Sequence, residues 1–196
     1  MTMDVRAVIF DMGGVILTSP YAIWADYASE CGLTLDDMRS QLRANETWHR
    51  FGSGLCTLEE VDAAFDVFSV AEVVRRTVEG LSVRPEMVEA TRRIKANGLK
   101  IAGLTNDWPI PRVDRGVVID WDAFVRSSEE GVSKPDARIY RVASERLAVE
   151  PEACVFLDDL HDNAEGARAV GMRAIHVTEA EGALAELSAM LGFPLG

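Results

Sequence analysis

Cysteine is scarce in this chain. Three thiols, Cys31, Cys56 and Cys154, stand far apart in 196 residues. An odd number without metal-type spacing excludes a disulfide framework and reads as reduced thiols, so a cytoplasmic protein is expected. Cys154 falls in an apolar run and reads as a small core residue. Basic residues are also short, 20 Lys and Arg against 32 Asp and Glu, for a formal charge of −12. That balance argues against nucleic acid or an anionic membrane surface as the main partner, since both favour basic patches. It leaves room for a small anionic ligand, because a bound metal or one lysine can reverse the field locally. No apolar run is long enough to span a bilayer. The first strand begins so early that no room for a signal peptide is expected. Internal repeats and low-complexity tracts are absent. Hydrophobic residues make up 48%, enough for one full core, or for a core with a small appended unit.

The stretch from Val5 to Leu17 organises the rest. Val8, Ile9 and Phe10 form a short apolar run that suits a buried strand. Asp11 ends the run, and Gly13 and Gly14 permit a sharp turn and a close approach to a ligand. Asp11 either shapes that turn or stands where open α/β sheets bind ligands, at the carboxyl end of a strand.

Residues 18 to about 81 read as all-helical. Trp24, Tyr27, Ala28 and Cys31 share a helical face, with Gly32 as a stop, and Leu35, Met38 and Leu42 continue the period. Gly52-Ser53-Gly54 is a turn. Thr57 and Glu60 fit a capping box ahead of Val61, Phe65 and Phe68. Core packing explains most of these aromatics. Trp48 and Phe51, beside the glycine turn, are the ones placed to face a substrate.

From Pro85 onward helices and strands alternate. Pro85 opens a helix that Asn97-Gly98 closes. Lys100 to Leu104 reads as a strand ending in Thr105-Asn106-Asp107, and 107–120 reads as loop. A short strand near Phe124 to Ser127 precedes Gly131-Val132-Ser133-Lys134-Pro135-Asp136, which opens another helix. Ala153 to Leu157 is a strand ending in Asp158-Asp159. A short helix from Asn163 to Val170, a strand from Ala174 to Val177 and a helix carrying Leu184, Leu187 and Leu191 complete the chain. This alternation predicts an α/β fold, a Rossmann-like parallel sheet with helices on both faces.

In a parallel sheet all carboxyl ends lie on one edge. Asp11, Thr105-Asn106, Lys134 and Asp158-Asp159 are therefore expected to converge. Acidic groups, one lysine and hydroxyl or amide donors suit phosphoryl transfer, with Mg²⁺ on oxygen ligands and Asp as nucleophile.

Four motifs carry a resemblance. They are Phe10-Asp11-Met12-Gly13-Gly14-Val15; Leu104-Thr105-Asn106; Ser133-Lys134-Pro135-Asp136 with Ile139-Tyr140; and Phe156-Leu157-Asp158-Asp159-Leu160-His161-Asp162-Asn163 with Glu165-Gly166-Ala167-Arg168 and Gly171. In order and spacing the chain resembles the haloacid dehalogenase superfamily of hydrolases, in the subfamily with a helical cap after the first strand. It is similar to sugar-phosphatase-like members and to the amino-terminal phosphatase domain of bifunctional epoxide hydrolases. The resemblance implies a core of residues 1–17 and 82–196 and a small helical cap at 18–81. It implies Asp11 as nucleophile and Mg²⁺ ligand, the Gly13 carbonyl and Asp159 as further ligands, and Asp158 and Asn163 in or beside the metal shell. The Gly13-Gly14 turn, Thr105 and Asn106 would bind the phosphoryl group. Lys134 would hold nucleophile and phosphate together. His161 and Asp162 read as ordinary loop or cap residues. The implied partner is a small phosphorylated metabolite.

One departure stands out. Many phosphatases of this family place a second Asp two residues after the nucleophile, as acid for the leaving group; here Gly13 occupies that position. A metal-independent hydrolase such as a 2-haloacid dehalogenase, and a non-catalytic binder of phosphorylated ligands or of a protein partner, are the competing readings. The Asp158-Asp159 pair favours a metal site and so the phosphatase.

Overall fold

The protein is described by a computed structural model covering residues 4–110 and 116–196. Five strands, β1 (Ala7–Phe10), β2 (Lys100–Thr105), β3 (Ala123–Arg126), β4 (Cys154–Asp158) and β5 (Arg173–His176), form one sheet in the order β3-β2-β1-β4-β5. Every pairing is parallel. β1 is central, with Phe10 opposite Gly103 on one side and Leu157 on the other. The expected α/β architecture is therefore present.

The strands are apolar on both faces because both faces are covered. Val8 and Phe10 join Ile101, Val155 and Leu157 beneath the helices α6 (Pro85–Ala96) and α10 (Ala180–Leu191), through Met87, Ile94, Leu184 and Leu187. Ala7 and Ile9 face the other way. They meet Ile139, Tyr140, Ala164 and Ala167 of the helices α8 (Ala137–Leu147) and α9 (His161–Ala169). The period-two alternation of β1 thus divides one strand between two cores. Pro85 is the first residue of α6, where a missing N–H costs nothing, and Asn97 caps its end. Asp136 caps α8 by accepting from the Arg138 N–H.

Between β1 and α6 lies a helical insertion made of α1 (Tyr21–Glu30), α2 (Leu35–Ala44), α3 (Glu46–Gly52), α4 (Leu58–Asp62) and α5 (Val70–Gly80). It has a core of its own, built from Tyr27, Met38, Leu42, Phe51, Val61, Phe68, Val73 and Val74. The Thr57–Glu60 capping box is present. The helical period does not extend through Phe65 and Phe68, however, for α4 ends at Asp62. The Asp62 carboxylate accepts from the Ser69 hydroxyl at 2.9 Å and the Ala71 N–H at 3.0 Å, so it ties down the start of α5 and the chain between must turn. The insertion enters and leaves side by side: Leu17 bridges Val83, the Thr18 N–H bonds to the Ser82 carbonyl at 2.8 Å, and the Arg84 N–H bonds to the Ile16 carbonyl at 2.9 Å.

A four-residue helix, α7 (Ser127–Glu130), follows β3 directly, where the sequence suggested only a connection. Of the expected loop at 107–120, residues 111–115 lie outside the described residues, and the rest carries no helix or strand. Among the described residues no helix is long and apolar enough to cross a membrane.

Candidate active site

The carboxyl edge of the sheet gathers the predicted residues. Asp11 follows β1 immediately, Thr105 ends β2, and Asp158 ends β4 with Asp159 next. Lys134 comes from the loop ahead of α8. The chain order brings these ends together because β1 lies between β2 and β4, at the point where the winding of the sheet reverses. Asp11, Thr105, Lys134 and Asp158 are all buried.

Lys134 is the hub. Its Nζ lies 2.7 Å from Asp11 Oδ1 and 2.6 Å from Asp158 Oδ2, and donates to the Leu104 carbonyl at 3.1 Å. Asp158 is held from behind: its Oδ1 accepts from the Leu160 N–H and from Asn163 Nδ2, both at 2.9 Å. Asn163 is thereby an anchor for Asp158. Asn106 is committed as well. Its Oδ1 accepts the Lys134 N–H at 2.8 Å and its Nδ2 donates to the Lys134 carbonyl at 2.9 Å. The side-chain amide of Asn106 fixes the lysine loop against the end of β2. The Thr105 hydroxyl makes only a long 3.4 Å bond to the Asn106 carbonyl.

The electrostatics are unbalanced. Ligand oxygens of Asp11, Asp158 and Asp159 lie within 4.8 Å of one another, with one lysine among them. Burial pushes Asp11 up to about 7, against the pull of Lys134 and with a further push from Asp158. Burial and Asp158 push Asp159 up to about 6. Burial works to lower the Lys134 ammonium, but Asp11 and Asp158 outweigh it and hold the group above its ordinary value. Ionising all three carboxylates against one ammonium would leave two negative charges near a buried edge, which a divalent cation on oxygen ligands would neutralise. The donor set fits Mg²⁺.

The two glycines after Asp11 differ. Gly14 has φ +78°, and a Cβ there would stand 2.2 Å from Asp159 Oδ2 and 2.3 Å from Asp159 Cγ. Its lack of a side chain makes the space in which Asp159 lies beside the β1 turn. Gly13 has φ −68°, ψ 129°, open to any residue, and a Cβ there would meet only Pro20 Cδ at 3.9 Å. Nothing in the backbone demands glycine at 13. His161 and Asp162 are exposed at the start of α9, 3.7 Å apart, outside the acidic trio.

The family model for haloacid dehalogenase-like hydrolases matches residues 5–171. The chain belongs to the haloacid dehalogenase-like hydrolases. Within that family, its acidic trio and bridging lysine make a phosphatase-type site. Acyl-CoA dehydrogenase family member 10 of Mus musculus is 31% identical over 97% of this chain, and the chain spans only 19% of the length of that relative. The sesquiterpene phosphatase of Aspergillus oryzae is 28% identical over 98% of this chain and 100% of its own length. Among solved structures, a family enzyme of Bacteroides thetaiotaomicron in complex with magnesium and inorganic phosphate has a TM-score of 0.67 at 14% identity, covering 87% of this chain and 93% of its own. That last likeness is one of fold.

The haloacid dehalogenase-like edge opens into a cavity of about 950 Å³ whose wall includes Asp11, Thr105, Lys134 and Asp159 as well as residues of the insertion. Trp48 lines it as expected, whereas Phe51 is fully buried in the core of the insertion. Trp24 and Trp108 line it too. Trp24 reads in sequence as a core position. Trp108 lies three residues beyond Thr105, and closeness to that motif is the one signal that marks it.

Proposed function

We propose that the protein is a Mg²⁺-dependent phosphatase that hydrolyses a small phosphorylated metabolite through an aspartyl-phosphate on Asp11, with 18–81 as its cap and 1–17 with 82–196 as its core. The observation that carries this reading is Lys134 Nζ between Asp11 at 2.7 Å and Asp158 at 2.6 Å, with Asp159 completing the acidic set. The Aspergillus relative named as a phosphatase, and the magnesium and phosphate held by the Bacteroides enzyme, support it.

Asp11 attacks phosphorus through a carboxylate oxygen, and the bond from phosphorus to the ester oxygen breaks. Lys134 orients Asp11, and its charge offsets that of the phosphoryl oxygens. The Thr105 hydroxyl donates to one of those oxygens. Asp11, Asp159 and the Gly13 carbonyl would hold Mg²⁺, which supplies further positive charge there, while Asp158 stands behind and secures Lys134. Gly13 offers no proton to the departing oxygen, so that proton comes from solvent. Water then attacks the phosphorus of the acyl phosphate, releasing inorganic phosphate and restoring Asp11.

The test is phosphate release from a panel of esters, with Mg²⁺ and with chelator, beside halide release from a 2-haloacid. Metal-dependent phosphate release is expected. Chelator-resistant halide release, or no release of either with measurable ligand binding, would overturn the reading.

A further inference from the structure

We infer that the organic part of the substrate is an extended apolar body lodged against tryptophan, and not a sugar or a nucleotide; this deepens the phosphatase reading and rests on it. The chain has four tryptophans. All four line the one cavity that also reaches Asp11 and Lys134. Two come from the helical insertion and two from the segment after β2, so the convergence is a product of the tertiary fold. Each is half-buried, as so large a ring commonly is, and lines the cavity with part of its surface. Trp48 stands edge-on to Trp24 at 6.4 Å and to Trp108 at 5.8 Å between ring centroids, so an aromatic wall runs from the insertion to the core.

Several of the polar groups along this wall are spent inside the protein. The Trp24 indole N–H donates to Thr77 Oγ1 at 2.8 Å, and the Thr77 hydroxyl donates in turn to the Val73 carbonyl at 2.6 Å. Arg126 is paired with Asp107 and Glu129 and donates to the Trp108 and Ile110 carbonyls. The Arg39 guanidinium lies over the Tyr21 ring, 4.5 Å from its centroid. A sugar or nucleobase pressed against this wall would surrender hydrogen bonds to water and recover few. An alkyl, terpenoid or aryl body gains from each group it buries. A cavity of about 950 Å³ is also far larger than a phosphate with two or three carbons needs, and lies in the range that holds a drug-sized ligand.

The experiment measures kcat/KM with Mg²⁺ for n-alkyl phosphates from methyl to decyl, beside glucose 6-phosphate and a nucleoside 5′-monophosphate, which share their primary-alcohol leaving group, and p-nitrophenyl phosphate. The expected gain is up to about fourfold per added methylene until the cavity fills. Glucose phosphate and the nucleotide should fall at least about tenfold below the alkyl ester of matching size. A flat series, or a sugar or nucleotide in the lead, would overturn this inference while leaving the phosphatase reading intact. No release from any ester, p-nitrophenyl phosphate included, would sink the phosphatase reading. Tryptophan emission titrated with decylphosphonate and with ribose phosphate then decides the present point, a shift with the first alone supporting it and any other pattern refuting it. Trp48→Ser should reduce the decyl-to-methyl preference about tenfold. Trp108→Ser, on the core side, makes the same test if the first variant does not fold, and an unchanged preference in a folded variant counts against the inference.

Discussion

Gly14→Ala separates the backbone of the site from its chemistry. The new methyl would lie 2.2 Å from Asp159 Oδ2, 2.3 Å from Cγ and 2.8 Å from Cβ, far inside contact distance. The Asp159 main chain has little freedom to retreat, since its carbonyl accepts from His176 Nε2 at 3.1 Å and the next residue is tied to Asp158 at 2.9 Å. The carboxylate must therefore swing away from Asp11. In the metal-free protein the cost is alanine at φ +78°, about 1–2 kcal/mol, plus about 1–3 kcal/mol for the contact with Asp159 Cβ that no side-chain rotation relieves, and the smaller unfolded-state entropy of alanine returns about 0.4–1 kcal/mol of it. Release of Asp159 from the repulsion of Asp158 offsets more. Metal-free stability should thus fall by about 1–4 kcal/mol, and Mg²⁺ affinity of the folded protein by about 100-fold, at or beyond the loss usual for disturbing an outer-shell partner. Urea unfolding in chelator gives the first quantity and calorimetric titration with MgCl₂ the second. Gly13→Ala is the control, open by geometry, and should stay within about 0.5 kcal/mol of wild type. Mg²⁺ affinity within threefold of wild type in a folded Gly14→Ala protein would show that Asp159 is not a ligand.

Asp11→Asn should abolish turnover without loss of fold, because an amide is a poor nucleophile and burial already opposes the charge of this carboxylate; more than about a hundredth of wild-type rate would count against the assignment. Lys134→Ala should destabilise by about 3–5 kcal/mol in thermal or urea unfolding, since Asp158 is fully buried and loses its ammonium partner, and should weaken binding of a phosphate analogue. Wild-type stability would mean that the ion pair does not form. With no acid at position 13, the chemical step should depend steeply on leaving-group pKa, aryl phosphates outrunning methyl phosphate, and Gly13→Asp should flatten the dependence, as the open space at that position allows; a flat dependence in wild type would reveal another acid. Burial pushes the Cys154 thiol up to about 11, so maleimide should label at most Cys31 and Cys56 in the native protein and all three thiols after unfolding.

The sheet and its polar edge are legible in the sequence because one physical rule connects them. Buried parallel strands need apolar runs, so Val8-Ile9-Phe10 and Val155-Phe156-Leu157 declare themselves. Parallel direction then puts whatever follows each run on one edge. Asp11, Thr105, Lys134 and Asp158 are found together for that reason. What the sequence conceals depends on contacts between remote segments. Phe65 and Phe68 keep a helical spacing although the Asp62 carboxylate is drawn to the start of α5 and ends the helix. The side-chain amide of Asn106 is consumed by the Lys134 main chain, a pairing that no local pattern announces. Gly13 and Gly14 are identical letters, and only the position of Asp159 tells them apart. The tryptophan wall has no periodicity to betray it, since two of its members, Trp108 and Trp121, stand outside any helix or strand.

The bridge between Leu17 and Val83 gives the helical insertion a narrow stem. Its main-chain bonds, Thr18 to Ser82 and Arg84 to Ile16, do not depend on which side chains stand there. Any segment that returns its two ends in the same register could be spliced onto this stem without disturbing Asp11, five residues upstream of Ile16. The catalytic edge and the half of the wall that the insertion carries, Trp24 and Trp48, are therefore free to change at separate rates, and a chimera with another insertion on this stem would acquire new selectivity while Asp11 and Lys134 stay in place.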